Sequence, residues 1–275
     1  QGINIANATV SFSVKNCKLT NAQIDGGNGA FMYGGVLENV NVIVTDPDPV
    51  ATTVTGSPAC INGIEIQVGK FRSCSVRSSG RTVHGTYPVQ AGIEANNAFI
   101  YQCVVDGAEA AGIRYSENIR NTVIRNVTGT AIANTSVSDT RSALIENIKI
   151  ENAGTGFIPH AGKQSGAQTR VTMKNVQMSR LRSNCVACND PDVRTLTVQD
   201  CTFTDFGLDD TLPAQERAAF GGRHGFRGKV LNLTNVTFAA HEPNASTIKV
   251  SVDAKRNEAV NQTSITEKPD GIMFQ

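Results

Sequence analysis

The 275-residue chain predicts an all-β solenoid of about nine to ten parallel coils, and three features of the sequence carry that expectation. A short phrase recurs nine times: a small polar residue, Cys or a β-branched aliphatic, one variable residue, and another apolar residue. The recurrences lie 23, 34, 29, 24, 21, 28, 25 and 35 residues apart, a period that marks stacked repeats. Within each repeat apolar and polar residues alternate with period 2, as a half-buried strand requires, and helical spacing is almost absent.

In chain order the phrases are Asn16-Cys17-Lys18-Leu19, Asn39-Val40-Asn41-Val42, Ser73-Cys74-Ser75-Val76, Gln102-Cys103-Val104-Val105 and Asn126-Val127-Thr128. Asn147-Ile148-Lys149-Ile150, Asn175-Val176-Gln177-Met178, Asp200-Cys201-Thr202-Phe203 and Asn235-Val236-Thr237-Phe238 complete the set. The leading Asn is expected at a turn, because Asn tolerates the left-handed conformation, and stacked Asn side chains add a ladder of hydrogen bonds. A second phrase, small then apolar, is interleaved with the first: Gly63-Ile64, Gly92-Ile93, Gly112-Ile113, Ala131-Ile132, Gly156-Phe157 and Cys185-Val186. Each repeat therefore holds at least two strands. Hairpins would leave regular Asn-Gly or Asp-Gly turns between paired strands, so parallel coils fit better.

One domain over residues 1–247 follows from the reach of the repeat, with long loops near 45–58 and 204–228 and a terminal cap or connecting segment over 248–275. The second loop contains the one plausible short helix, Pro213 to Phe220. Projecting loops of a solenoid are expected to build its binding face.

A balance of 25 basic against 24 acidic residues gives no electrostatic footprint for nucleic acid. No apolar run approaches the length of a membrane span, so no membrane insertion is expected. The chain opens without Met, which reads as a processed protein or an excised fragment. Cys17, Cys74, Cys103 and Cys201 fill the apolar slot of the phrase and are expected as a column of buried thiols, which suits folding in a reducing compartment. Seven N-x-S/T sequons read as by-products of Asn and Thr usage. The Asp46-Pro47-Asp48 and Asp190-Pro191-Asp192 triplets read as turns, and Cys185-Val186-Ala187-Cys188 has no partner pair with which to bind zinc. No metal or cofactor is expected, and no G-x-S-x-G, P-loop or G-x-G-x-x-G is present.

Counting outward from the small-apolar anchors places Glu65, Gln67, Glu94, Asn96, Arg114, Ser116, Ala133, Thr135, Ile158, His160, Ala187 and Asn189 on the outer surface. Polar residues there are ordinarily just solvated. Glu65 and Glu94, one coil apart, nevertheless approach the carboxyl separation of retaining glycosidases. Arg114 beside Glu94 would hold one carboxylate ionised while the less compensated Glu serves as general acid, and Arg114 and His160 would position substrate. A second cluster lies in the long loop: Asp209, Asp210, Arg223, His224, Arg227 and Lys229. There the acids are further catalytic candidates, and Arg223, His224 and Arg227 are candidates for binding substrate. Its cations suit neutralising a uronate carboxylate ahead of β-elimination. With no Trp, a sugar-stacking platform has to come from Tyr33, Tyr87, Tyr101, Tyr115 or a Phe.

Taken together, the phrases, the Asn ladder and the small-apolar second strand resemble the single-stranded right-handed parallel β-helix of the pectin-lyase-like superfamily over nearly the whole chain. The resemblance is specific to architecture rather than activity. Polygalacturonases of that superfamily carry a Gly-His-Gly segment, of which Arg223-His224-Gly225 is a partial match; their other acidic motifs are not found in register. The unpaired Cys residues and irregular insertions look most like a bacteriophage tailspike. That likeness implies a homotrimer in the virion tail, folded in the host cytoplasm, that binds and cleaves a bacterial surface or other acidic polysaccharide, by hydrolysis ahead of elimination. A non-catalytic structural or glycan-binding β-helix and a secreted, extracellular pectate- or alginate-lyase-like enzyme are the alternatives.

Overall fold

A computed structural model describes residues 3–5, 13–20, 27–32, 34–44, 60–66, 68–80, 87–95, 98–116, 118–133, 142–159, 169–189, 193–223, 225–239, 250–252, 259–265 and 272–274. The expected loop at 45–58 and both Asp-Pro-Asp triplets lie outside them. The chain forms two compact units, Gln1–Gly129 and Thr130–Gln275. Both are built from parallel rungs in the manner of a single-stranded parallel β-helix.

In the first unit the strands are β1 (Ile3–Ile5), β2 (Ser13–Thr20), β3 (Gly27–Met32), β4 (Val36–Val44), β5 (Cys60–Ile66), β6 (Gly69–Arg72), β7 (Ser75–Ser78), β8 (Val89–Ala95), β9 (Ala98–Tyr101), β10 (Val104–Ala108), β11 (Ala111–Arg114) and most of β12 (Asn118–Ala133), whose last four residues belong to the second. They form two ladders. One runs β2, β4, β6 with β7, β9 with β10, then β12; the other runs β1, β3, β5, β8, β11, and every pairing is parallel. Leu37, Phe71, Ile100 and Ile119 stack in register as one inward column, and Val42, Val76, Val105 and Ile124 as another, all buried. Ile64, Ile93 and Ile113 face them from the second ladder. Each such side chain contributes on the order of 1.5–3 kcal/mol by leaving water.

The leading residue of every one of the nine phrases has positive φ, between 50° and 57°. This left-handed residue is a corner. Phe71 and Cys74 both point inward although three residues apart, because Ser73 at the corner resets the alternation. Asn side chains at successive corners join: Asn39 Nδ2 donates to Asn16 Oδ1 (2.9 Å), and in the second unit Asn175 Nδ2 donates to Asn147 Oδ1 (2.8 Å) and Asn235 Nδ2 to Asp200 Oδ1 (2.8 Å).

The fifth phrase needs correction. Arg120 pairs with Tyr101, so the residue aligned with Gln102 is Asn121 (φ 52°), and the slot residue is Thr122. Asn126 sits at a second corner five residues on, beside Gly107 (φ 90°), where its Nδ2 donates to Asp106 Oδ1 (2.7 Å). The amide nitrogens of the sequon residues Asn126 and Asn235 are thus engaged in cross-rung bonds.

The second unit contains β13 (Ser142–Ile158), β14 (Thr169–Leu181), β15 (Val186–Ala187), β16 (Val193–Thr204), a short helix α1 (Ala214–Arg217), β17 (Phe220–Gly221), β18 (Val230–Ala239), β19 (Val250–Val252), β20 (Ala259–Ile265) and β21 (Ile272–Phe274). Again two parallel ladders form, β13-β14-β16-β18-β20 and β13-β15-β17-β19-β21. Within 248–275, β19, β20 and β21 extend both. Phe203, Phe220 and Phe238 meet between the ladders with ring centroids 5.5 to 6.0 Å apart, two of the three pairs edge to face. The helix is shorter than the expected Pro213–Phe220, because Pro213 and Ala218 are both extended. Asn184, buried, pins it by donating Nδ2 to the Gln215 and Ala218 carbonyls (3.0 and 2.6 Å).

The thiols also depart from a single column. In the first unit Val40 interrupts the stack between half-buried Cys17 and buried Cys74 and Cys103, while Cys201 belongs to the second unit, between Val176 and Val236. Cys17, Cys74, Cys103, Cys185, Cys188 and Cys201 are free thiols. The neighbouring Cys74 thiol, together with burial, pushes Cys103 well above the ordinary thiol value. Burial pushes Cys185 up strongly and Cys201 from an ordinary 9.0 to about 11.

The small residue of the second phrase has a steric cause. A methyl group on Gly63 or Gly92 would enter the Val76 or Val105 side chain of the facing ladder and come within 2.8 or 2.7 Å of the next rung's carbonyl. Gly92→Val is therefore expected to lower stability by about 3 kcal/mol, seen as a reduced midpoint in denaturant unfolding. The raised Cys201 value sets a pH limit as well. The unfolded thiol ionises near 9 and the folded one near 11, so its contribution is complete below pH 9 and is lost as pH rises toward 11. Unfolding midpoints measured across that window should fall in the wild type and fall less in Cys201→Val.

Candidate functional site

The second ladder of the first unit brings three of the expected residues into line. Gly63-Ile64-Glu65, Gly92-Ile93-Glu94 and Gly112-Ile113-Arg114 are each a tight glycine, an inward isoleucine and an outward polar residue, with no insertion between anchor and polar position. Glu65 pairs in register with Glu94, and Glu94 with Arg114; Phe31 and Asn4 precede them on the same column. All three polar side chains are half-buried, and adjacent rungs stand about 4.8 Å apart.

Asn62, which the sequence did not single out, completes this arrangement. It is buried at the start of the same turn of strand, and its Nδ2 donates to Glu65 Oε2 at 3.1 Å. That bond fixes one carboxyl oxygen and leaves the direction of the other defined. The signal for it was the Asn-Gly-Ile-Glu spacing, which places an amide three residues before the acid.

Glu65 opposite Glu94 is exceptional in charge. Other charged columns alternate in sign: Lys15, Glu38 and Arg72 in one, Arg77, Asp106 and Arg125 in another, Glu146 and Lys174 in a third. Several close as ion pairs, including Lys15 with Glu38 (2.9 Å), which holds the Glu38 carboxyl below its ordinary value, and Arg125 with Asp106 (2.7 Å). Among the described register pairs, Glu65 and Glu94 are the one pair of like charges.

Two other expected outward positions are buried instead. Ser116 points inward, buried, with Oγ donating to the Ala98 carbonyl (3.2 Å), because Tyr115 (φ 58°) is itself a corner. Ala187 is buried where β15 packs between β13 and β17. Asn189 is exposed and accepts the Arg223 backbone N–H (2.8 Å). Gln67, Asn96, Thr135, His160 and His224 lie outside the described residues.

The loop cluster belongs to the second unit. Asp209 accepts the Thr211 hydroxyl (2.6 Å) and backbone N–H (3.2 Å) at Oδ1, and its own N–H donates to the Arg182 carbonyl (2.9 Å). The Thr211 bonds, with the Arg182 charge, hold the Asp209 carboxyl below its ordinary value. This is an Asx turn that shapes the loop. Asp210 and Arg223 are exposed, and the Arg227 N–H donates to the Cys188 carbonyl (2.9 Å). Among the described residues no group of three or more His, Cys, Asp or Glu side chains is placed to hold a metal ion, and no helix is long and apolar enough to cross a membrane.

Two carboxylates facing each other across a parallel ladder repel by up to about 1 kcal/mol. Glu65→Gln, which keeps an acceptor for Asn62, is expected to raise stability by about 0.5 kcal/mol. Chemical denaturation of the two proteins at neutral pH measures the difference, and at a pH low enough to protonate both acids it should vanish.

Comparison of the chain with protein-family models, with curated proteins and with solved structures finds no match. What the protein does has to be read from its own residues.

Proposed function

We propose that this protein binds a polysaccharide along the outward face of the second ladder of its first unit and hydrolyses it with Glu65 and Glu94. The observation that carries this reading is the like-charge pair, Glu65 directly opposite Glu94, flanked by Arg114 and oriented by Asn62. A rung spacing of about 4.8 Å suits the roughly 5–5.5 Å between carboxyl groups in retaining glycosidases. Glu94, next to Arg114, is the nucleophile: its carboxylate forms a bond to the anomeric carbon as the glycosidic bond breaks. Glu65, its Oε2 held by Asn62, passes a proton to the departing oxygen. Water, deprotonated by Glu65, then releases the sugar from Glu94. Arg114 also suits a substrate bearing carboxylates.

In this reading the chain works as a tailspike-type depolymerase, assembled as a homotrimer, acting on a bacterial surface or other acidic polysaccharide. Free buried thiols support folding in a reducing compartment. The turn formed by Asp209 gives the loop cluster a shaping role, so the catalytic assignment rests on the Glu pair.

Incubation with a panel of acidic and bacterial surface polysaccharides is expected to generate new reducing ends without the ultraviolet absorbance of an unsaturated product. Glu94→Gln and Glu65→Gln should each lower kcat about 10³-fold while leaving binding intact. Absorbance rising with the reducing ends would assign elimination instead. Binding with no cleavage by the wild type, or cleavage untouched in both variants, would sink the catalytic assignment.

A further inference from the structure

We propose that the first ladder of the first unit carries a separate binding surface for an anionic oligosaccharide, centred on Phe99 and Tyr101. The ligand class is that of the preceding reading, but the residues belong to the other ladder and none is a catalytic candidate. On β9 the inward residues are Ala98 and Ile100, both buried, so strand alternation turns Phe99 and Tyr101 outward, where they are 54% and 37% exposed. Val68, 48% exposed, leads into the neighbouring rung β6. In the described part of this unit these are the only large apolar side chains so exposed, and they gather on adjoining rungs.

Cations frame the rings on both sides. Lys70 pairs in register with Phe99, and Arg72 with Tyr101; across the other edge Tyr101 pairs with Arg120 and Phe99 with Asn118. Lys70, Arg72 and Arg120 are all exposed. The nearest acid on these columns, Glu38, is salt-bridged to Lys15 at 2.9 Å, with Arg72 at 3.9 Å. From Lys15 to Tyr101 the outward columns therefore carry three positive groups, Lys15, Lys70 and Arg72, against one negative, on a chain whose net charge is only +1.

Two outward rings about 6.6 Å apart along a strand, with Arg72 and Arg120 on rungs about 4.8 Å to either side, fit the two chemistries of an acidic sugar. The rings take the apolar face of the pyranose. The cations take carboxylates, with Arg able to bind them in bidentate fashion. A nucleic acid strand also stacks on rings and neutralises cations, but it brings a phosphate with every base and draws on an extended basic field. Three cations and a near-neutral chain suit the sparser charge of a uronate glycan.

The full chain is titrated calorimetrically with a short alginate oligosaccharide, with a neutral cello-oligosaccharide of equal length, and with oligo(dT). Binding of alginate is expected, weakening with added salt, and no binding of the neutral sugar. Phe99→Ala with Tyr101→Ala should raise Kd at least tenfold, and Arg72→Gln with Arg120→Gln should raise Kd and flatten the salt dependence. All the positions are exposed, and unchanged thermal midpoints confirm folding. Glu94→Gln should bind alginate at this face as the wild type does, so loss of cleavage and loss of this surface register separately. The proposal fails if the wild type does not bind alginate, if neither double variant weakens it, or if oligo(dT) binds more tightly. It also fails if sedimentation shows Phe99→Ala with Tyr101→Ala dissociating an oligomer, for the rings would then be a subunit contact.

Discussion

The left-handed corner at the head of each phrase is the constraint on which the rest of the structure depends. An L-residue other than Asn or Asp is disfavoured there, yet Ser73 and Gln102 accept it alongside Asn and Asp. They do so because the corner inserts one residue into the alternation and so turns two successive faces of the coil toward one core. Without it, Phe71 and Cys74 would point to opposite sides. The strain is offset by cross-rung amide bonds such as Asn39 to Asn16 and Asn175 to Asn147. Stacking then repeats the same choice on the next rung, so register is copied from coil to coil and outward side chains line up in columns.

The second ladder obeys a different rule, set by space. Where Gly63 and Gly92 pass the facing Val76 and Val105, the coil is too thin for a Cβ. The glycine fixes where the strand meets the core, the isoleucine after it is driven inward, and the residue after that must face out. Glu65, Glu94 and Arg114 owe their alignment to that three-residue sequence. The arrangement of the candidate site is thus a by-product of packing, while the identity of its side chains is not.

This explains what could be read from the sequence and what could not. The Glu-Glu-Arg column was legible because each member sits two residues from a glycine with no insertion to miscount. Corner positions were legible too, since eight of the nine phrases keep an apolar residue in the slot at the main corner. The fifth was misplaced because the slot there holds Thr122, whose hydroxyl donates to the Arg120 carbonyl (2.9 Å) and accepts the Cys103 N–H (3.2 Å). A polar residue satisfied by its neighbours looks like an outward one, and Asn126-Val127-Thr128 imitated the missing phrase at a second corner. Asn62 was missed because its role rests on its burial and on a side-chain bond to Glu65, neither of which the alternation displays. Asp209 and Arg223 were grouped by nearness in the loop, whereas Asp209 is bonded within its own turn by Thr211 and the Arg223 N–H is drawn to Asn189 instead.

Parallel stacking makes charge placement stringent, because every outward residue meets its equivalents at about 4.8 Å above and below. A random mixture of acids and bases would put like charges opposite one another often. The columns of this protein instead run Lys15, Glu38, Arg72 and Arg77, Asp106, Arg125, with ion pairs where the spacing allows. Stability alone would extend that pattern to Glu65 and Glu94, where a single Gln or Lys would remove the repulsion. Two carboxylates kept face to face, one oriented by a buried amide and the other beside an arginine, depart from the rule that governs the remaining columns. Local departures of this kind are expected where a structure trades stability for chemistry. The face with Phe99 and Tyr101 departs differently, in leaving two large rings exposed, and it departs in the company of cations. In a fold that repeats one solution on every rung, the positions that break the repetition are the ones that packing does not explain.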